Sequence, residues 1–249
     1  MNARAIELFD ELLRAPKRSA ERSVKGDELP AFVLSTLAAV VIGAGTFGAV
    51  LATSRGGVQL LYSALKLPLA LLVTLILVVP AFHAVAGALG RPLAFRGVVA
   101  LSLAATARAA LLLVAFAPVM WLALDLGVGY HDGVLLAVAC YGVAGLAALR
   151  LLLHGVGFSP RGAMIVAVSA LVVCPVGGQT AWLFRPFFGR PAQAEVPFLR
   201  HKESSFLDAV SKSARSSVGI YDSIENGVTR ERCEPPFECG TRTREGYER

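Results

Sequence analysis

The sequence predicts an all-α integral membrane protein, a bundle of about five transmembrane helices with polar segments at both ends. Charge is the first reason. Only 17% of the 249 residues are charged and 55% are hydrophobic, with a mean hydropathy of +0.61, whereas soluble domains carry about 25% charged residues. The charges also gather at the ends: between Pro30 and Phe184 the only acids are Asp125 and Asp132. A water-facing surface of that length needs far more, so lipid is the expected solvent for most of the chain. Run length is the second reason. Apolar stretches reach the roughly 20 residues that cross a hydrocarbon core about 30 Å thick, and they lack the alternation of an outer-membrane strand.

Residues 1–29 form a cytoplasmic N-terminal segment. They are too charged to hold a signal-peptide core before a cleavage site. Ile6, Phe9 and Leu13 recur at helical spacing, with Leu8 and Leu12 beside them. Two readings stay open: a short helix lying on the membrane surface, or a solvated helix whose modest apolar face is interrupted by Asp10.

The transmembrane domain is expected over residues 30–184. Pro30–Ala52 carries no charge and is the first span, and Leu67–Gly90 is the second. Pro68 falls near the start of that second span, where a missing amide matters little, and Pro80 is placed to kink it. The third span lies within Gly97–Leu124 and contains Arg108; Gly133–Leu153 is the fourth and Gly162–Phe184 the fifth. Residues 185–215 read as an interfacial C-terminal segment, with Phe206, Leu207 and Val210 on one side of a short helix. Residues 216–249 are a polar, glycine-bearing tail expected to be disordered.

Short-loop Lys/Arg counts set orientation. With the N-terminus inside, the inner segments carry Arg4, Arg14, Lys17, Arg18, Arg22 and Lys25, then Arg91 and Arg96, then Arg161 with Arg150 close by. The outer loops carry only Arg55 and Lys66. The expectation is a bacterial inner-membrane protein with a cytoplasmic N-terminus and an external C-terminus. Cys233 and Cys239 flank "CEPPFEC" in the tail. An oxidising exterior permits a disulfide there; the other reading is two free thiols in a disordered tail.

Helices in lipid approach closely through small residues. Ala44, Gly48 and Ala52 form one four-residue stripe and Cys140, Ala144 and Ala148 another; both are read as helix-packing seams. Chemistry is scarce. No zinc-protease, nucleophile-elbow, phosphate-loop or dinucleotide motif occurs. His83, His131, His154 and His201 are scattered, and no carboxylate lies in a span interior. No enzyme, cofactor, metal or nucleic-acid partner is expected; the expected partners are the bilayer and another membrane protein or a second copy.

Three residues remain as binding candidates. Arg108 interrupts the third span, and an unpaired cation in the membrane costs at least about 2.5 kcal/mol. One reading makes it an anion site or interhelical anchor near Ser102 and Thr106. The favoured reading lays residues 97–107 along the cytoplasmic interface, with Arg108 snorkelling at the start of a shorter crossing, Ala109–Leu126. Gln179 and Arg185 belong to "GGQTAWLFRPFFGRP" (Gly177–Pro191). Trp182, Phe184, Phe187 and Phe188 are expected to moor the last helix at the outer interface, with Arg185 reaching headgroup phosphates. The competing reading is a site on Gln179 and Arg185, opened by a helix broken at Pro175, Gly177 and Gly178.

Five spans, a cytoplasmic N-terminus, "ALKLPLALLVTL" opening the second helix and a tail beyond the fifth resemble the Yip-type (Ypt/Rab-interacting protein) membrane family in its bacterial form, and the closing "WLFRPFFGRP…VPFLRHKESSF" resembles a signature near the C-terminus of bacterial multi-pass membrane proteins, the likeness covering about residues 30–210. The resemblance implies a five-span fold that acts by binding partners. The functional expectation is accordingly a non-enzymatic membrane scaffold or partner-binding protein. The alternative is a small-solute or ion carrier using Arg108 and the Pro175–Gln179 break.

Overall fold

The computed structural model describes residues 3–26, 29–54, 56–185, 187, 198, 210, 211 and 215. Seven α-helices account for nearly all of them: α1 (Ala3–Arg14), α2 (Pro16–Lys25), α3 (Leu29–Leu51), α4 (Val58–Ala88), α5 (Phe95–Asp125), α6 (Tyr130–Val156) and α7 (Pro160–Leu183). No strand occurs among the described residues. The five helices from α3 onward are long and apolar enough to cross a membrane, so the fold is an all-α bundle of membrane-length helices.

Consecutive helices alternate in direction. α3 is wedged between α4 and α5, α6 packs on α5, and α7 lies mainly on α4. Glycines make the wedge possible. A Cβ on Gly43 would come within 2.7 Å of the Ala110 carbonyl oxygen on α5, and one on Gly48 would strike the Ser63 carbonyl on α4. Gly45 approaches the Ala64 carbonyl, 3.2 Å from its own ideal Cβ. Pro68 leaves that same carbonyl without its helical donor. Ala44 and Ala52 are fully buried, Ala144 and Cys140 nearly so, and Ala148 packs on the core from a half-buried position. Both small-residue stripes therefore face other helices of this chain.

Two apolar cores stack along the bundle. One joins Leu8, Leu12, Phe32, Val79, Leu101, Leu151 and Ile165; the other joins Phe47, Leu51, Leu67, Leu113, Met120 and Ala144. α5 runs through both and is the most enclosed span, with 56% of its most apolar stretch covered by the chain against 17% for α7. At 1.5 Å per residue, α4 and α5 are each about 46 Å long, well beyond a hydrocarbon core. Their overhangs are covered by the rest of the chain. α2 packs across the first turns of α5 and the last turns of α6, with α1 beside it on α5, and Gly97 lies against the Val24 backbone. Phe187, beyond α7, lies on the first turns of α4.

Four expectations need correction. The apolar face of α1 is made by Leu8 and Leu12, which are buried against the bundle, while Leu13 is 40% exposed. α1 is thus neither solvated all round nor a simple surface float, because α2 and α5 offer it a protein surface. Its link to α2 is the ion pair of Arg22 with Glu11 at 3.1 Å. The second span begins at Val58, nine residues before Leu67, and Lys66 is fully buried. Gln59, Ser63 and Lys66 recur at i, i+4 and i+7, so one helical face turns all three inward.

The remaining corrections concern the two proposed breaks. α5 is unbroken from Phe95 to Asp125. Residues 97–107 do not lie along an interface: Val98, Ala100, Leu101, Ala104 and Ala107 are completely buried in the bundle's centre. α7 likewise continues through Pro175, Gly177 and Gly178. The proline forfeits one backbone bond only, it points outward, and Gly177 is seated against Thr74 of α4, 3.3 Å from its ideal Cβ position. Packing against α4 holds the helix where local propensity would have loosened it.

Candidate functional site

Buried polar groups in a bundle this apolar need partners, because an unsatisfied hydroxyl or amide costs about 1–3 kcal/mol. The densest such group lies on the first turns of α4. Gln59 is 4% exposed, and Ser63 and Lys66 are fully enclosed. The Gln59 amide donates to Ser63 Oγ at 3.2 Å, and Ser63 Oγ donates to the Phe187 carbonyl at 2.9 Å. The Lys66 ammonium lies 4.9 Å from the centre of the Phe198 ring and 5.7 Å from that of Tyr62. The two rings meet edge-to-face at 5.3 Å. Cation–π attraction reaches about 2 kcal/mol in a desolvated setting, which gives the buried ammonium part of its compensation. Phe187 also packs on the core formed by Phe47, Leu51 and Leu67.

Among the described residues beyond α7, Phe187 is thereby fastened to α4 through its carbonyl and Phe198 through its ring. This site was not read from the sequence. The signal lies in "VQLLYSALK", three polar residues on one helical face, whereas charge counting alone places Lys66 in an outer loop.

The stretch that was read as a mooring is distributed differently. Arg185 folds back so that its guanidinium carbon lies 3.7 Å from the centre of the Trp182 ring. Phe187 is held by protein. Gln179 is half-buried on α7, and among the described residues no hydrogen bond joins it to Arg185. Pro186, Phe188, Phe206 and Leu207 lie outside the described residues, as do Cys233 and Cys239. Cys140 is buried and Cys174 exposed, both as free thiols.

Arg108 stands at the level between the two cores. Its Nε and Nη1 are sealed from solvent without a hydrogen-bond partner. The hydroxyl of Thr106 is turned to the Ser102 carbonyl at 2.9 Å, within its own helix, so it does not serve the guanidinium. At the end of the bundle where α6 stops, Arg91 Nε donates to the Val156 carbonyl at 2.7 Å and caps the C-terminus of α6, where a cation meets the negative end of the helix.

No cluster of three metal-ligating side chains occurs among the described residues. The chain matches no protein-family model, no curated protein and no solved structure.

Proposed function

We propose that the protein is a non-enzymatic multi-pass membrane protein that works by binding another transmembrane helix, from a second copy or a different membrane protein, along the outward face of α6. One observation carries this reading. Ala139, Gly142, Val143 and Leu146 share an exposed α6 face, and a Cβ on either Gly142 or Gly145 would find no atom within 4 Å. The glycines of α3 that permit close approach all have a helix against them. Gly142 and Gly145 of α6 do not, although small residues in lipid gain their advantage from a tightly packed neighbour. α6 and α7 are also the spans least covered by the chain, at 22% and 17%.

The Yip-type resemblance supports the same reading, since proteins of that family act through partners. The carrier alternative loses one of its two supports, because α7 is continuous. The reading places the N-terminus in the cytoplasm of a bacterial inner membrane and the C-terminus outside. With Lys66 buried, Arg55 is the one cation left in the outer loops, which strengthens the Lys/Arg bias.

The experiment is the association state of the full chain in mild detergent, wild type against Gly142→Leu. A leucine there has free space within the chain, so the fold stays intact and the complex is lost. Wild-type and variant complexes of equal mass and abundance would refute the reading.

A further inference from the structure

Arg108 stands near the middle of the membrane-length bundle. Gly43 of α3 is set against Ala110 of α5, and the two helices run parallel. Arg108 therefore lies about 18 Å along the axis from the level of Leu29 and about 15 Å from that of Leu51. α3 carries no charge between those two levels, which makes them the edges of the hydrocarbon core, and both edges are beyond the reach of a snorkelling arginine stem. Nε and Nη1 of Arg108 are sealed from solvent without an acceptor. Among the described residues no acid meets it. The ion pairs there are Arg14–Asp10 and Arg22–Glu11, and Asp125, the acid on α5, is about 25 Å further along the helix.

The side chain is only partly covered, and the face it belongs to is open. Arg108, Leu112, Ala115, Val119 and Leu122 recur at three- and four-residue steps along one face of α5. Leu112 is half-buried, and Ala115, Val119 and Leu122 are exposed. This ridge runs about 21 Å from mid-depth to the outer end of the helix, whereas residues 97–107 are enclosed by the rest of the chain.

A cation at mid-depth is costly alone and is kept where a counter-charge meets it. The depth selects the counter-charge. A lipid phosphate stays at headgroup level, about 15 Å away, and the ridge beyond Arg108 has no polar side chain to lead a soluble anion inward. A transmembrane helix can carry a carboxylate to mid-depth, because its backbone bonds are satisfied within itself. A second copy of this chain cannot, since none of the five spans holds Asp or Glu in its interior.

We infer that the lipid-facing ridge of α5 binds a transmembrane helix of a different protein, one whose aspartate or glutamate near mid-span pairs with Arg108. This goes beyond the proposed function, which rests on residues of α6.

The probes are leucine–alanine helices of about 21 residues, with a single central Asp, a single central Asn, or the Asp moved about 9 Å toward one end. Each is co-reconstituted with the full-length chain in dioleoyl phosphatidylcholine vesicles, and association is read by energy transfer between labels. The central-Asp helix is expected to associate about tenfold or more tightly than either of the others, and Arg108→Gln is expected to remove that preference. Should Arg108→Gln fail to fold, the comparison of central with displaced Asp on the wild-type chain decides. Equal association of the three helices with wild type, or a preference that survives Arg108→Gln, overturns the inference. Transfer between two labelled copies of the chain that Arg108→Gln abolishes assigns the ridge to a second copy and overturns it as well. Neither result bears on Gly142, whose substitution leaves Arg108 and its ridge in place.

Discussion

Gly48 is the point at which the α3–α4 seam is least forgiving. Its ideal Cβ would fall on the Ser63 carbonyl oxygen, 2.9 Å from the carbonyl carbon and 3.1 Å from Leu67 Cβ. The obstacle is helix backbone, which cannot rotate aside as a side-chain tip can. Restoring ordinary van der Waals spacing in Gly48→Ala requires α3 and α4 to part by roughly 1 Å. Such overpacking costs about 1–3 kcal/mol, against a helix-propensity gain of up to about 1 kcal/mol for alanine over glycine. The expected net loss is about 1–2 kcal/mol. It also strains the Ser63–Phe187 hydrogen bond, because Ser63 is the residue displaced. Gly142→Ala is the internal control: it has the same propensity gain and no clash, so it is neutral or slightly stabilising. Equilibrium unfolding in a detergent–SDS series, followed through Trp121 and Trp182, measures both. A Gly48→Ala midpoint at or above wild type, or a Gly142→Ala loss as large as that of Gly48→Ala, refutes the packing argument.

A reporter active only in the cytoplasm, fused after Arg249, is expected to stay silent, whereas the same reporter at the N-terminus is active; a strong C-terminal signal contradicts the five-crossing orientation. Arg91→Ala removes a charge-assisted bond to the Val156 carbonyl and is expected to lower stability by about 1.5–3 kcal/mol, with the SDS series showing partial recovery in Arg91→Lys. Phe198→Ala removes ring contacts with Lys66 and Tyr62. Since one such contact amounts to about 1–2 kcal/mol, cleavage after Glu195 by a glutamate-specific protease should accelerate about tenfold, and an unchanged rate would show that the ring does not hold the segment.

The five spans were legible because apolar runs of membrane length leave little else for the chain to be, and the boundaries of α3 and α7 fall within two residues of expectation. What escaped depends on neighbours distant in sequence. The first nine residues of α4 contain Gln59, Ser63 and Lys66, and polar residues end an apolar run; only the segment bearing Phe187 and Phe198 makes them an interior face. Arg108 reads as a snorkelling boundary residue until α3, α6 and α2 are seen to enclose residues 97–107. Pro175 and its glycines read as a break, since local propensity knows nothing of Thr74. The Leu8–Leu12 face was noted, but its destination on α5 was not, because an amphipathic helix does not say whether lipid or protein covers it. Gly142 resembles Gly48 in sequence; their difference is what each has opposite it.

The claim that α6 offers its outward face to another helix is tested most directly by photo-crosslinking in native membranes. A photoreactive residue at position 142 is compared with one at Ile76, which is 71% exposed on α4. The account predicts a discrete protein adduct from position 142, formed with one transmembrane partner or a second copy, and only lipid adducts from position 76. Lipid adducts alone at both positions, or the same protein adducts from both, would contradict it.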